Sequence, residues 1–302
     1  MKVVFFGTPQ FSADLYTDLV KRGVAIVAVV TKPDKPKGRS GKSLPPPLKE
    51  VACCPIFQPE KVSTPEFENL LREIGADLFI VASYGEILKQ STLDIPPLGC
   101  INVHTSLLPK YRGAAPIQQA IIEGEVKTGV TIMEMVLQLD AGDILDKEEV
   151  VIDPEIDAQE LEHLLQKSAT IALLRVLDAL EKDQVVRIPQ DHSKATFVRK
   201  ITPEFCHINW AKENTKIHQL IRGLSPKPLA WTLLNGKRLK IQKSRLVEGS
   251  GAPGEMIGNK NHLIIACGLG AIELLEVQLE GRKMMSGKDL LCGLSILTFT
   301  LH

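Results

Sequence analysis

The sequence predicts an α/β fold in two parts, a mainly parallel sheet layered with helices and then a small antiparallel β-barrel. Three observations carry this reading. Strand-length apolar runs alternate with amphipathic helical stretches in the first half, the pattern changes to short strands after residue 222, and the formal charge changes sign between the halves. Residues 1–183 hold 19 Lys+Arg against 27 Asp+Glu, a net −8, while residues 184–302 hold 17 against 9, a net +8. At 302 residues the chain is also long for one core, since domains commonly run to about 100–200 residues.

Lys2 to Phe6, Ile26 to Thr31, Leu78 to Ala82 and Cys100 to His104 read as strands, with Ala13 to Arg22 and Pro65 to Ile74 as amphipathic helices between them. Strand, helix, strand repetition builds a Rossmann-like parallel sheet. Asp157 and Glu160 form a capping box for a long helix to about Lys182, whose expected apolar face is Leu161, Leu164, Leu165, Ile171, Leu174 and Leu177. Pro189 and the polar stretch Gln190 to Lys194 read as linker with few groups to bury. A short helix at Thr215 to Arg222 follows. Trp231 to Leu234 and Leu239 to Lys243 flank Asn235-Gly236, a hairpin signal because both turn positions need positive φ. His262 to Cys267 and Ile272 to Gln278 complete a barrel of the oligonucleotide-binding (OB-like) type, which suits the positive charge. The expected domains are 1–183, a linker at 184–205, and 206–302.

No apolar run approaches the roughly 20 residues of a membrane span, and the apolar start stops at Gly7-Thr8-Pro9, too soon for a signal peptide. The six cysteines show neither C-x-x-C spacing nor pairing with closely spaced histidines, so they read as reduced, buried thiols in a cytoplasmic protein without a structural metal.

Chemistry concentrates in GCINVHTSLLPKYRGAAPI, residues 99–117. Asn102 and His104 lie two apart on a strand and share a face, at the strand end where open α/β sheets place ligands. Taken alone, Asn-x-His also suits a strand-end histidine satisfied by its surroundings. Asp140 falls in the loop Gln138 to Asp143, after the apolar run Val130 to Val136. A dinucleotide fingerprint is absent, because the opening FFGTPQFSADL lacks G-x-G-x-x-G. The run TKPDKPKGRSGKSLPPPLK, residues 31–49, has six basic residues and one acidic among prolines and glycines that forbid regular structure.

Together these segments resemble the 10-formyltetrahydrofolate-dependent formyltransferase family, and within it the members that act on initiator methionyl-tRNA. The resemblance implies a catalytic triad of Asn102, His104 and Asp140, and a folate-contacting segment Ser106-Leu107-Leu108-Pro109 with Ile87 and Leu88 beside the pterin. It likewise implies that the basic loop grips the tRNA acceptor end through Arg39 and Lys42, and that KITPEFCHINW, from Lys200, is the tRNA-contacting entry to the second domain. Ser43 and Lys227 depart from the residues common in that family. Ser106 also reads as a loop cap, and Ile87 and Leu88 as ordinary core. The implied enzyme is a cytoplasmic monomer with 10-formyltetrahydrofolate as co-substrate and no metal.

Formyl transfer to an amine passes through a tetrahedral intermediate with a negative oxygen, for which Asn102 is the donor, and needs a proton shuttle, which an imidazole such as His104 supplies near neutral pH. Asp140 orients or ionises that imidazole, or holds a relay water. Other acceptors fit the same triad: a sugar nucleotide, glycinamide ribonucleotide, or water attacking the formyl-folate itself. A non-catalytic RNA-binding protein is the reading from a different class; chain length and the basic loop favour a tRNA enzyme.

Overall fold

Unalternated apolar sequence dictates the centre of the fold, because a strand such as Val3–Gly7, buried at every position, needs cover on both faces. In the computed structural model, which describes residues 1–36, 43–293 and 300–301, this strand lies inside a seven-stranded sheet, between Leu78–Ala82 and Ile26–Val30. The spatial order is Ile144–Val151, Lys127–Glu134, Cys100–His104, Leu78–Ala82, Val3–Gly7, Ile26–Val30, Ile56–Phe57. Pairs from Cys100–His104 to Ile56–Phe57 are parallel, and Lys127–Glu134 runs antiparallel to Cys100–His104. Helices Gln10–Lys21 and Pro65–Ile74 fall where the amphipathic pattern predicts. The second is capped by Thr64, whose hydroxyl accepts from the Phe67 N–H, and ends at the left-handed Gly75.

The chain divides into two compact units, one of Met1–Gly113, Thr128–Val151 and Glu162–Phe197, the other of Ala114–Lys127, Ile152–Leu161 and the residues from Val198 on. Within the second unit, helices Pro116–Glu123 and Asn214–Leu224 pack together. Its five-stranded antiparallel sheet runs Ala230–Leu234, Lys237–Val247, Ala271–Leu279, Ile264–Ala266, with Met285–Ser286 also on Ala271–Leu279. Asn235 and Gly236 turn the hairpin at φ +50° and +76°. Inward alternation along Lys237–Val247 buries Leu239 and Ile241 against Trp210, Ile221 and Ile272, and Trp210 Nε1 donates to Thr232 Oγ1 at 3.0 Å. The sheet curls into a half-barrel.

The capping box forms as expected, with Glu160 N donating to Asp157 Oδ1 and Asp157 N to Glu160 Oε2. The helix face differs from expectation. Leu161, Leu165 and Leu177 are buried, but Leu164 is 39% and Ile171 47% exposed; the small residues Ala169 and Ala172, with Leu173 and Val176, complete the stripe. Reading by side-chain size favoured large aliphatics on the flank over alanines that allow close approach. Leu165→Ala is therefore expected to destabilise the protein by about 2–5 kcal/mol and Leu164→Ala by under about 1 kcal/mol in denaturant unfolding; equal effects would put the stripe in the wrong register.

The cysteines are free, and only Cys100, Cys206 and Cys267 are buried. Burial pushes the Cys100 thiol up to about 12. Cys53 and Cys292 are exposed, against the expectation of uniformly buried thiols; the Cys53 sulfur instead sits 3.2 Å from the Tyr16 hydroxyl, which accepts the Cys53 N–H. Among the described residues no helix is long and apolar enough to cross a membrane.

Candidate active site

Strand Cys100–His104 brings Asn102 opposite Val81 on one neighbour and Met133 on the other, and places His104 at its carboxyl end. Beyond it the chain doubles back. Ser106 Oγ donates to the Lys110 carbonyl at 2.6 Å, Thr131 Oγ1 donates to the Ser106 carbonyl and accepts from Leu108 N, and Lys147 Nζ donates to the Leu108 carbonyl. This return, with Tyr111 at φ +59°, aims the Tyr111 carbonyl at the imidazole, which donates to it from Nε2 at 2.9 Å. A carbonyl only accepts, so the proton on Nε2 is fixed and Nδ1 faces Asp140. The nearest carboxylate oxygen is 3.7 Å from Nδ1, longer than a hydrogen bond, and both side chains are nearly buried.

Asp140 is held on two sides. Its Oδ2 accepts from Gly113 N at 2.7 Å, and its carbonyl accepts from Gln190 Nε2 at 2.9 Å, with the backbone in the left-handed region at φ +48°. Gln190 Nε2 also donates to the Gly142 carbonyl, while its Oε1 accepts from Arg112 Nε and Nη2. Arg112, 1% exposed, also reaches His192 Nδ1 at 3.0 Å. Burial draws the guanidinium pKa down and the charge of Asp140 pushes it back up.

Asn102 is half-buried, and its side chain makes no hydrogen bond to another described residue. An amide not engaged by another described residue and an imidazole whose Nδ1 faces a carboxylate can hold an oxyanion and move a proton.

The other residues singled out from sequence spread more widely. Ser106 is fully buried with its hydroxyl engaged by Lys110, Leu108 packs on Met133 and Ile144, and Leu107 and Pro109 are half-buried. Leu88 lies in the core with Phe6 and Phe79, whereas its neighbour Ile87 is 76% exposed. Arg39 and Lys42 lie outside the described residues; Lys200 is exposed. Among the described residues no cluster of three or more His, Cys, Asp or Glu could hold a metal.

Sequence reasoning missed Gln190, which it left in a linker with little to bury, and the exposed apolar group Val136, Leu137 and Leu139 just before Asp140. For Gln190 no local signal exists, since a lone glutamine beside proline reads as loop. Apolar residues immediately ahead of a charged loop were the available signal for the second.

Two family models match the chain, Formyl transferase over residues 1–177 and Formyl transferase, C-terminal domain, over residues 200–295. The chain is 47% identical to the methionyl-tRNA formyltransferase of Protochlamydia amoebophila, covering 98% of this chain and 96% of that protein. It is 42% identical to the methionyl-tRNA formyltransferase of Geotalea daltonii, covering 99% and 97%. Among solved structures, HypX from Aquifex aeolicus in complex with tetrahydrofolic acid aligns with a TM-score of 0.69 at 17% identity, over 96% of this chain and 47% of that one, a likeness of fold. Identity of this order, carried through both matched segments and almost the whole length of each relative, means that the chain belongs to the methionyl-tRNA formyltransferase family.

Proposed function

We propose that this chain transfers the formyl group of 10-formyltetrahydrofolate to the amino group of methionine on initiator tRNA, giving N-formylmethionyl-tRNA for translation initiation. The observation that supports the chemistry is that His104, at the end of strand Cys100–His104, turns Nδ1 toward Asp140 with a proton fixed on Nε2, while Asn102 stands two residues back on the same strand. The amine nitrogen attacks the formyl carbon, and the carbonyl oxygen becomes an oxyanion to which the Asn102 amide donates. His104 Nδ1 takes the proton released by the new C–N bond, beside the negative charge of Asp140, and returns it to the folate nitrogen as the old C–N bond breaks. Val136, Leu137, Leu139 and Ile87 are exposed apolar residues that we assign to a flat ring, with Ser106, Leu107, Leu108, Pro109 and Leu88 as further folate-contacting residues.

We assign formyl transfer to residues 1–183 and tRNA binding to residues 206–302, with 184–205 connecting them and its Gln190 packed into the first compact unit, the protein working as a monomer in the cytoplasm. The positive charge from residue 184 onward and the basic run 31–49 support that division. Arg39, Lys42 and Lys200 are the assigned tRNA contacts. The test offers the purified protein 10-formyltetrahydrofolate with methionyl-tRNA, glycinamide ribonucleotide or an amino-sugar nucleotide. Formylated methionyl-tRNA is expected; formylation of another acceptor alone, or bare release of formate, overturns the assignment.

Each neutralised phosphate releases counterions, so Arg39→Ala should flatten the dependence of tRNA affinity on log salt by about 0.7–0.9 of a unit and leave folate binding intact. An unchanged slope would mean that Arg39 neutralises no tRNA phosphate.

A further inference from the structure

We infer that Gln190 is a positioning residue for the reaction, clamping the loop that carries Asp140 to the segment that holds His104. The inference rests on the reading of Asp140 as the carboxylate that serves His104. Tyr111 to Gly113 grip both members of the pair, the Tyr111 carbonyl accepting from His104 Nε2 and Gly113 N donating to Asp140 Oδ2. Nothing in those two bonds fixes the backbone of the Asp140 loop. Gln190 does so from a distance of 50 residues in sequence, its Nε2 donating to the carbonyls of Asp140 at 2.9 Å and Gly142 at 2.8 Å.

The amide is locked in this sense. Its oxygen accepts two guanidinium bonds from Arg112, at 3.2 and 2.7 Å, so a flipped amide would set its NH2 against donors and its oxygen against two carbonyls. Every strong valence is used, and Gln190 is 5% exposed, so water does not compete for these bonds. Arg112 is in turn the neighbour of Tyr111 and Gly113. One side chain thus links the backbone on which Asp140 sits, in an unfavourable left-handed conformation, to the backbone that receives His104. A residue that touches neither reacting atom then sets the separation of Nδ1 from the carboxylate.

Gln190→Glu keeps size and the acceptor for Arg112 but puts an oxygen against the two carbonyls. With 10-formyltetrahydrofolate and methionyl-tRNA as substrates, it is expected to lower kcat about 10-fold or more with both KM values within about threefold of wild type. In an Asp140→Asn background the same change should remove less than about twofold further, because the carboxylate it positions is already gone. Wild-type kcat in Gln190→Glu, or an equal loss in both backgrounds, overturns the inference by making the residue idle or merely structural. Should Gln190→Glu fail to fold, Gln190→Asn, which keeps the amide but shortens its reach by one methylene, carries the same comparison. Failure of the underlying reading has a different signature: Asp140→Asn alone would then turn over like wild type.

Discussion

Replacing His104 or Asn102 by alanine is expected to lower formyl transfer by about 10²-fold or more, and the two variants should differ in what else they lose. Asn102 makes no side-chain hydrogen bond to another described residue, so its removal deletes a donor the fold does not use, and melting should stay near that of wild type. His104 is buried and donates to the Tyr111 carbonyl, so His104→Ala strands that acceptor and should also destabilise by about 1–3 kcal/mol. Steady-state kinetics with thermal unfolding separates the cases. Transfer within a few-fold of wild type by a folded variant removes that residue from the mechanism; a large loss of stability in Asn102→Ala would mean that the amide serves the fold.

The pairing of Asn102 with His104 was legible because strand geometry leaves little choice: residues two apart share a face, and five apolar-rich residues after Gly99 had to be a strand. The parallel core was legible for a related reason, since Val3 to Phe6 offers no polar side for solvent. Helix register was less so. Size alone does not say which of Leu164 and Leu165 turns inward, whereas the alanines at 169 and 172 mark the side of close approach. The role of Asp140 came from family resemblance, because a loop residue has no period to tie it to a strand face. The clamp was illegible altogether: Arg112 and Gln190 are 78 residues apart, and their meeting depends on where two loops come to rest. The sequence also could not say how far the second sheet curls, because curvature is set by twist and bulges such as that near Lys243, which the hydrophobic alternation does not encode.

Gly142→Ala is expected to lower transfer by about 10²-fold or more while destabilising the protein by about 1–3 kcal/mol. A Cβ built at Gly142 would lie 1.9 Å from the Glu134 carbonyl oxygen and 2.8 Å from its carbon. Both are backbone atoms at the end of a strand paired with Ile101, and Glu134 N already donates to the Asp143 carbonyl, so Glu134 cannot step aside without breaking sheet pairing. The loop must move instead. Gly142 would then lose its bond from Gln190, and Asp140, two residues earlier on the same loop, would shift relative to His104. Gly23→Ala is the control: at φ +84° with open space around its Cβ it carries backbone strain but no clash, so it should cost about 1 kcal/mol and leave turnover unchanged. Comparing kcat and unfolding of the two variants separates general strain from displacement of Asp140. Wild-type turnover in a stably folded Gly142→Ala would show that the loop absorbs the methyl group without moving Asp140.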